Sequence, residues 1–105
     1  MTDELLTAIL AERVMGWKVG PNRFLTGKRS WMSRSQFKPL VDLKDAFQLL
    51  DAATNDYSLL SGPDRVFTAL VRLGGRVGRG IGEPKARAIS LAVASASGIA
   101  TEVND

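Results

Sequence analysis

Val66-Phe67-Thr68-Ala69-Leu70-Val71-Arg72-Leu73 is an apolar, β-branched run closed by Ser61-Gly62-Pro63-Asp64 on one side and Gly74-Gly75 on the other. Glycine and proline at those flanks are turn chemistry, so the run predicts a strand. Phe67, Ala69, Val71 and Leu73 are apolar at every second position, while Thr68 and Arg72 interrupt the alternate set. One face of the strand is therefore expected to be buried and the other partly wet. The following Gly74-Gly75-Arg76-Val77-Gly78-Arg79-Gly80-Ile81-Gly82 reads as a glycine-rich loop. Glu83-Pro84 then opens a helix, with proline at a first-turn position where its missing N–H is not needed. Ala86, Ile89, Val93 and Ala96 follow at helical spacing and Gly98 marks the stop. The small residues Ala88, Ser90, Ala92, Ala94, Ser95 and Ala96 would let this helix approach a sheet closely.

Upstream, Tyr57 and Leu59 begin the strand region. Before them, Asp42 is the expected N-cap of a second helix, with Asp45 near the capping-box position, Val41 and Ala46 as a hydrophobic staple, and Leu43, Ala46, Phe47 and Leu50 as its apolar stripe. This helix should stop around Thr54-Asn55. Residues 26–38 hold Trp31 and Phe37 without a sustained period and read as a loop or irregular edge strand. Trp17 and Val19, then Phe24 and Leu25, flank Gly20-Pro21-Asn22, which predicts two short strands around a tight loop. At the start, Thr2 caps a first helix whose stripe is Leu5, Leu6, Ile9, Leu10 and Val14 and whose end lies near Met15-Gly16. The order is helix, two short strands, helix, two or three strands, helix. It predicts an α+β layered sandwich with a mainly antiparallel sheet. The 105 residues are expected to form one domain, with 1–3 and 100–105 as frayed termini.

The chain has no cysteine and no histidine. That removes thiolate nucleophiles, cysteine zinc sites and the usual neutral-pH general base, so a non-enzymatic protein without catalytic residues, metal or cofactor is expected. Asp42 and Asp45 sit one turn apart, but capping accounts for both. The acidic start, Met1-Thr2-Asp3-Glu4-Leu5, is unlike a secretory signal, and no apolar stretch approaches membrane-spanning length; the expectation is a cytoplasmic protein with no membrane partner. Net charge is +3, unevenly spread. No acidic residue falls between Glu12 and Asp42, where Arg13, Lys18, Arg23, Lys28, Arg29, Arg34 and Lys38 lie. A second basic group is Arg65, Arg72, Arg76, Arg79, Lys85 and Arg87.

Val14-Met15-Gly16-Trp17-Lys18-Val19 after a short amphipathic helix, Phe37-Lys38-Pro39 leading into residues 42–53, and Pro84-Lys85-Ala86-Arg87-Ala88-Ile89-Ser90-Leu91-Ala92 together resemble the phage ABA-sandwich domain family. The likeness covers roughly residues 5–99. It implies a sheet layered with helices and a phage or prophage setting, and it brings no activity or catalytic residues with it.

Two constellations suggest an anionic partner, nucleic acid or a nucleotide-type ligand. In the first, Gly80 and Gly82 precede a helix N-terminus where backbone N–H groups meet phosphates, with Arg76, Arg79, Lys85 and Arg87 adding charge. Pro84 removes one donor there, and Glu83 places a carboxylate where the phosphate would sit. In the second, Lys28, Arg29 and Arg34 interleave with Trp31, pairing phosphate neutralisation with base stacking, while Trp17, Phe24 and Phe37 are expected in the core. The alternative is a protein–protein interaction module or homodimer, in which the alanine-rich helix or an uncovered sheet edge forms the contact.

Overall fold

Gly74 and Gly75, at φ of 55° and 85°, turn the chain back on itself within two residues. Only glycine takes such a pair of positive φ values freely, and this turn matches the twist of an antiparallel hairpin. It joins β5 (Phe67–Leu73) to β6 (Arg76–Ile81), with Leu73 opposite Arg76. The glycine-rich stretch is thus a turn followed by a strand, where the sequence predicted a loop. In this computed structural model, which describes residues 2–26, 30–63 and 66–99, the element order is α1 (Asp3–Arg13), β1 (Lys18–Val19), β2 (Arg23–Leu25), β3 (Trp31–Ser33), a 3-10 turn (Arg34–Gln36), α2 (Leu43–Ala53), β4 (Tyr57–Ser61), β5, β6 and α3 (Lys85–Ala96). The strands form two antiparallel three-stranded sheets, β1-β2-β3 and β4-β5-β6. The α+β reading holds, with two sheets.

The expected alternation of β5 is present: Phe67, Ala69 and Val71 are buried and Arg72 is exposed. The buried face lies under α3. Gly78 and Gly80 face the helix, and a Cβ on either would strike its backbone: at Gly78 the Ala92 carbonyl and, 2.8 Å away, the Ala96 Cβ; at Gly80 the Ala88 carbonyl and, 2.7 Å away, the Ala92 nitrogen. Two glycines on a strand and three alanines four residues apart on a helix thus form one close contact. Eight of the 12 residues of α3 are buried. Such all-round burial places α3 in the middle of the fold. On its far side the Ser90 hydroxyl donates to the Pro39 carbonyl at 2.6 Å. The exposed and half-buried remainder includes Arg87, Leu91 and Ser95, four residues apart along one flank.

The N-terminal half packs around three aromatic rings, Trp17, Phe24 and Phe37, with centroids 5.0 to 6.1 Å apart. As expected, all three are buried. Thr2 caps α1 by accepting from the Leu5 N–H, and Asp3 is bound to Arg87. Residues 2 and 3 are therefore built into the fold, and residue 1 and residues 100–105 lie outside the described residues. Leu5 and Val41 are more than half exposed and Leu43 is 43% exposed; in the first stripe Leu6 and Leu10 are buried and Ile9 and Val14 pack partly buried against the core, while Leu5 lies outside it, and Val41 makes no staple. Asp42 accepts from the N–H groups of Lys44 and Asp45, at 2.9 and 3.3 Å. Asp45 reaches out of the helix to the Lys38 N–H at 2.9 Å instead of closing a capping box. Asp42→Ala is expected to lower stability by about 1 kcal/mol, read as a lower urea midpoint at unchanged m value.

Candidate functional site

In the small sheet the side chains sort by strand alternation into two rows. Val19, Phe24 and Met32 are opposed across β1, β2 and β3, and form the inner row. Lys18, Leu25 and Trp31 are likewise opposed, and form the outer row. Trp31 is 57% exposed, while Leu25 between it and Lys18 is half-buried. Arg23, the next outward residue of β2, sets its guanidinium 4.9 Å from the Trp31 ring centroid. This is a cation–π contact that orients both groups. The outer face thus presents an exposed indole, a stacked guanidinium and an ammonium, with Ser33 opposite Arg23. Such a face can stack a planar ring and meet a phosphate. Lys28 and Arg29 lie outside the described residues.

Arg34 is elsewhere. Its guanidinium lies 5.5 Å from the centroid of Phe24, the inner-row ring, and donates to the Gly20 and Glu4 carbonyls, each at 3.4 Å. It lines a groove of about 650 Å³ whose polar wall also carries Asp3, Glu4, Ser33, Ser35 and Lys38. Two carboxylates beside two cations make this groove a poor home for an anion.

The second basic group is divided by the fold. Because β6 and α3 run in opposite directions, Arg76 lies by Gly98 while Lys85 and Arg87 stand at the other end of a 12-residue helix, about 18 Å away at 1.5 Å per residue. Arg87 is held by Asp3 at 3.0 and 3.1 Å, and the Lys85 ammonium sits 5.6 Å from the Phe67 ring centroid. Arg79 projects from the other face of the large sheet, opposite Leu70. Gly80 is buried under α3, so it offers no backbone to a phosphate, and Gly82, at φ of 148°, carries the strand out towards the cis Glu83–Pro84 bond. The residues expected to form one cradle are not assembled into one. Trp31 remains from the earlier set, and Lys18 and Arg23 join it; sequence alone showed these two as members of a diffuse basic stretch.

The outer face of the large sheet is uncovered as well. Leu60, Val77 and Ile81 are 56%, 61% and 46% exposed, and Thr68, Leu70 and Arg79 lie among them by register. Arg72 there is paired with Asp56 at 3.4 Å. Among the described residues no group of acidic side chains could hold a metal ion, and no helix is long and apolar enough to cross a membrane.

The fold is similar to that of a solved phage protein from Bacillus cereus ATCC 14579, with a TM-score of 0.78 over 97% of this chain and 93% of that one, at 13% identity. No family model matches the chain, and no curated protein matches it by sequence.

Proposed function

We propose that the protein is a non-enzymatic phage or prophage accessory protein, of the ABA-sandwich kind and working in the host cytoplasm, that binds single-stranded nucleic acid on the outer face of its small sheet. The observation that carries this reading is Trp31, held more than half exposed on a strand with Arg23 stacked on it and Lys18 two strands away. A large ring left in water by the fold, with cations placed around it, is the arrangement by which bases and phosphates are met together. The surface is open and not a pocket, which favours a strand over a single nucleotide. The phage origin of the structural neighbour supports the setting.

The test is fluorescence anisotropy of labelled single-stranded oligonucleotides at several salt concentrations. Base–aromatic stacking contributes about 1–3 kcal/mol per base, so Trp31→Ala is expected to weaken binding by roughly 5- to 150-fold. Arg23→Ala and Lys18→Ala should each lower the salt slope by about 0.7. Equal binding by wild type and Trp31→Ala would remove Trp31 from the site. A preference for free nucleotides over polymers would replace the strand by a small ligand.

A further inference from the structure

We infer that the protein associates with a second copy of itself through the outer edge of β6, joining two three-stranded sheets into one of six strands. Antiparallel ladders alternate hydrogen-bonded and non-bonded pairs. Gly82 N–H donates to the Phe67 carbonyl at 3.2 Å, which fixes the phase. Counting back in twos along the register, Gly80, Gly78 and Arg76 bond to β5, and Val77, Arg79 and Ile81 turn their N–H and C=O groups away from it. No hydrogen bond to these outward groups is formed among the described residues. The edge is unbroken, six residues long and free of proline and bulge, so nothing in its register blocks an added strand.

The side chains favour another copy as that strand. Arg79 and Glu83 are exposed and neither has an ion pair among the described residues. Antiparallel pairing about a two-fold axis at Arg79 would set like charges directly opposite, which is destabilising. An axis at Gly80 instead sets Arg79 opposite the partner's Ile81, with the partner's Glu83, just past the strand end, towards one diagonal and the partner's Arg79 on the other, so that no like charges stand directly opposed. The same axis serves the helix layer. Gly80 lies beneath Ala88 and Ala92, and Leu91, half-buried against the core, is the apolar member of the α3 flank that faces away from buried Ile89 and Val93; Arg87 on the same flank is held by Asp3. Two copies of that flank would meet at Leu91 as the strands pair below it. Backbone, charge and apolar contact thus share one symmetry axis, as a two-fold interface requires.

The experiment is sedimentation velocity of the full chain over a wide concentration range, with amide exchange measured at both ends of that range. The expected result is a species of twice 11.3 kDa at high concentration, with the amides of Val77, Arg79 and Ile81 protected there and exchanging freely in the dilute sample. Arg79→Pro removes an N–H that the monomer's own ladder does not use, so its circular dichroism should match wild type while the dimer is lost. Arg79→Gln keeps the N–H and should weaken the dimer without abolishing it. A monomer at every concentration overturns the inference. So does a dimer in which those three amides exchange freely, or one that survives Arg79→Pro.

Discussion

An alanine at Gly80 is expected to lower folding stability by about 3 kcal/mol, the upper end for overpacking a well-filled interior. At an ordinary strand position the same change would help, because glycine in a strand interior costs roughly 0.5–1 kcal/mol relative to alanine. The sign reverses because the new methyl group would stand against the Ala88 carbonyl and 2.7 Å from the Ala92 nitrogen. Both are backbone atoms of a helix, and no rotamer change moves them aside. Relief requires α3 to lift off the sheet, and α3 is held on its far side by the 2.6 Å bond from Ser90 to Pro39. Domains of this kind are stable by 5–15 kcal/mol, so the loss is a large fraction of the total. Urea unfolding of Gly80→Ala beside Gly75→Ala gives the contrast: Gly75, at φ of 85° with nothing within 4 Å of an added Cβ, should cost only about 1–2 kcal/mol of backbone strain. Equal midpoints for the two variants would mean that α3 does not ride on the glycines as described.

That contact also explains what the sequence did and did not reveal. The β5 strand was legible because Phe67, Ala69 and Val71 alternate with wetter residues. Its partner β6 was not, since glycine and arginine carry little strand propensity. Its signal is relational: glycines two apart at 78 and 80 complement alanines four apart at 88, 92 and 96, and neither series means much without the other. The basic residues show the same limit. Arg76, Arg79, Lys85 and Arg87 are neighbours in sequence, yet strand alternation puts Arg76 and Arg79 on opposite faces and the return of α3 carries Lys85 and Arg87 to the other end of the layer. Lys18, Arg23 and Trp31 are spread along the chain and are brought together only by strands of two or three residues, too short to show a period. The aromatic assignment succeeded because burial of three large rings and exposure of a fourth follow from the surrounding pattern more than from register.

Phe37→Ala is expected to be the most damaging truncation, at about 3–5 kcal/mol, and to act at a distance on the candidate nucleic-acid face. Phe37 is fully buried, 5.0 Å from Trp17 and 6.1 Å from Phe24 in near edge-on contacts. Deleting it opens a cavity between the two, and each loses an aromatic neighbour beyond its share of buried area. Phe24 belongs to the inner row of the small sheet, whose outer row carries Trp31. Loosening one row therefore loosens the other, because side chains on opposite faces share the same short strands. Phe37→Leu keeps the site apolar and most of its volume, and should lose clearly less. The two tryptophans separate the effects in one measurement. Trp17 is 8% exposed and Trp31 57% exposed in the native protein, so with Trp31 replaced by phenylalanine the remaining emission reports Trp17 alone. A red shift of that emission in Phe37→Ala, below its unfolding midpoint, is the expected sign that the aromatic core has opened while the rest of the chain remains folded. If Trp17 stays blue and the urea midpoint does not move, the three rings do not seat the small sheet.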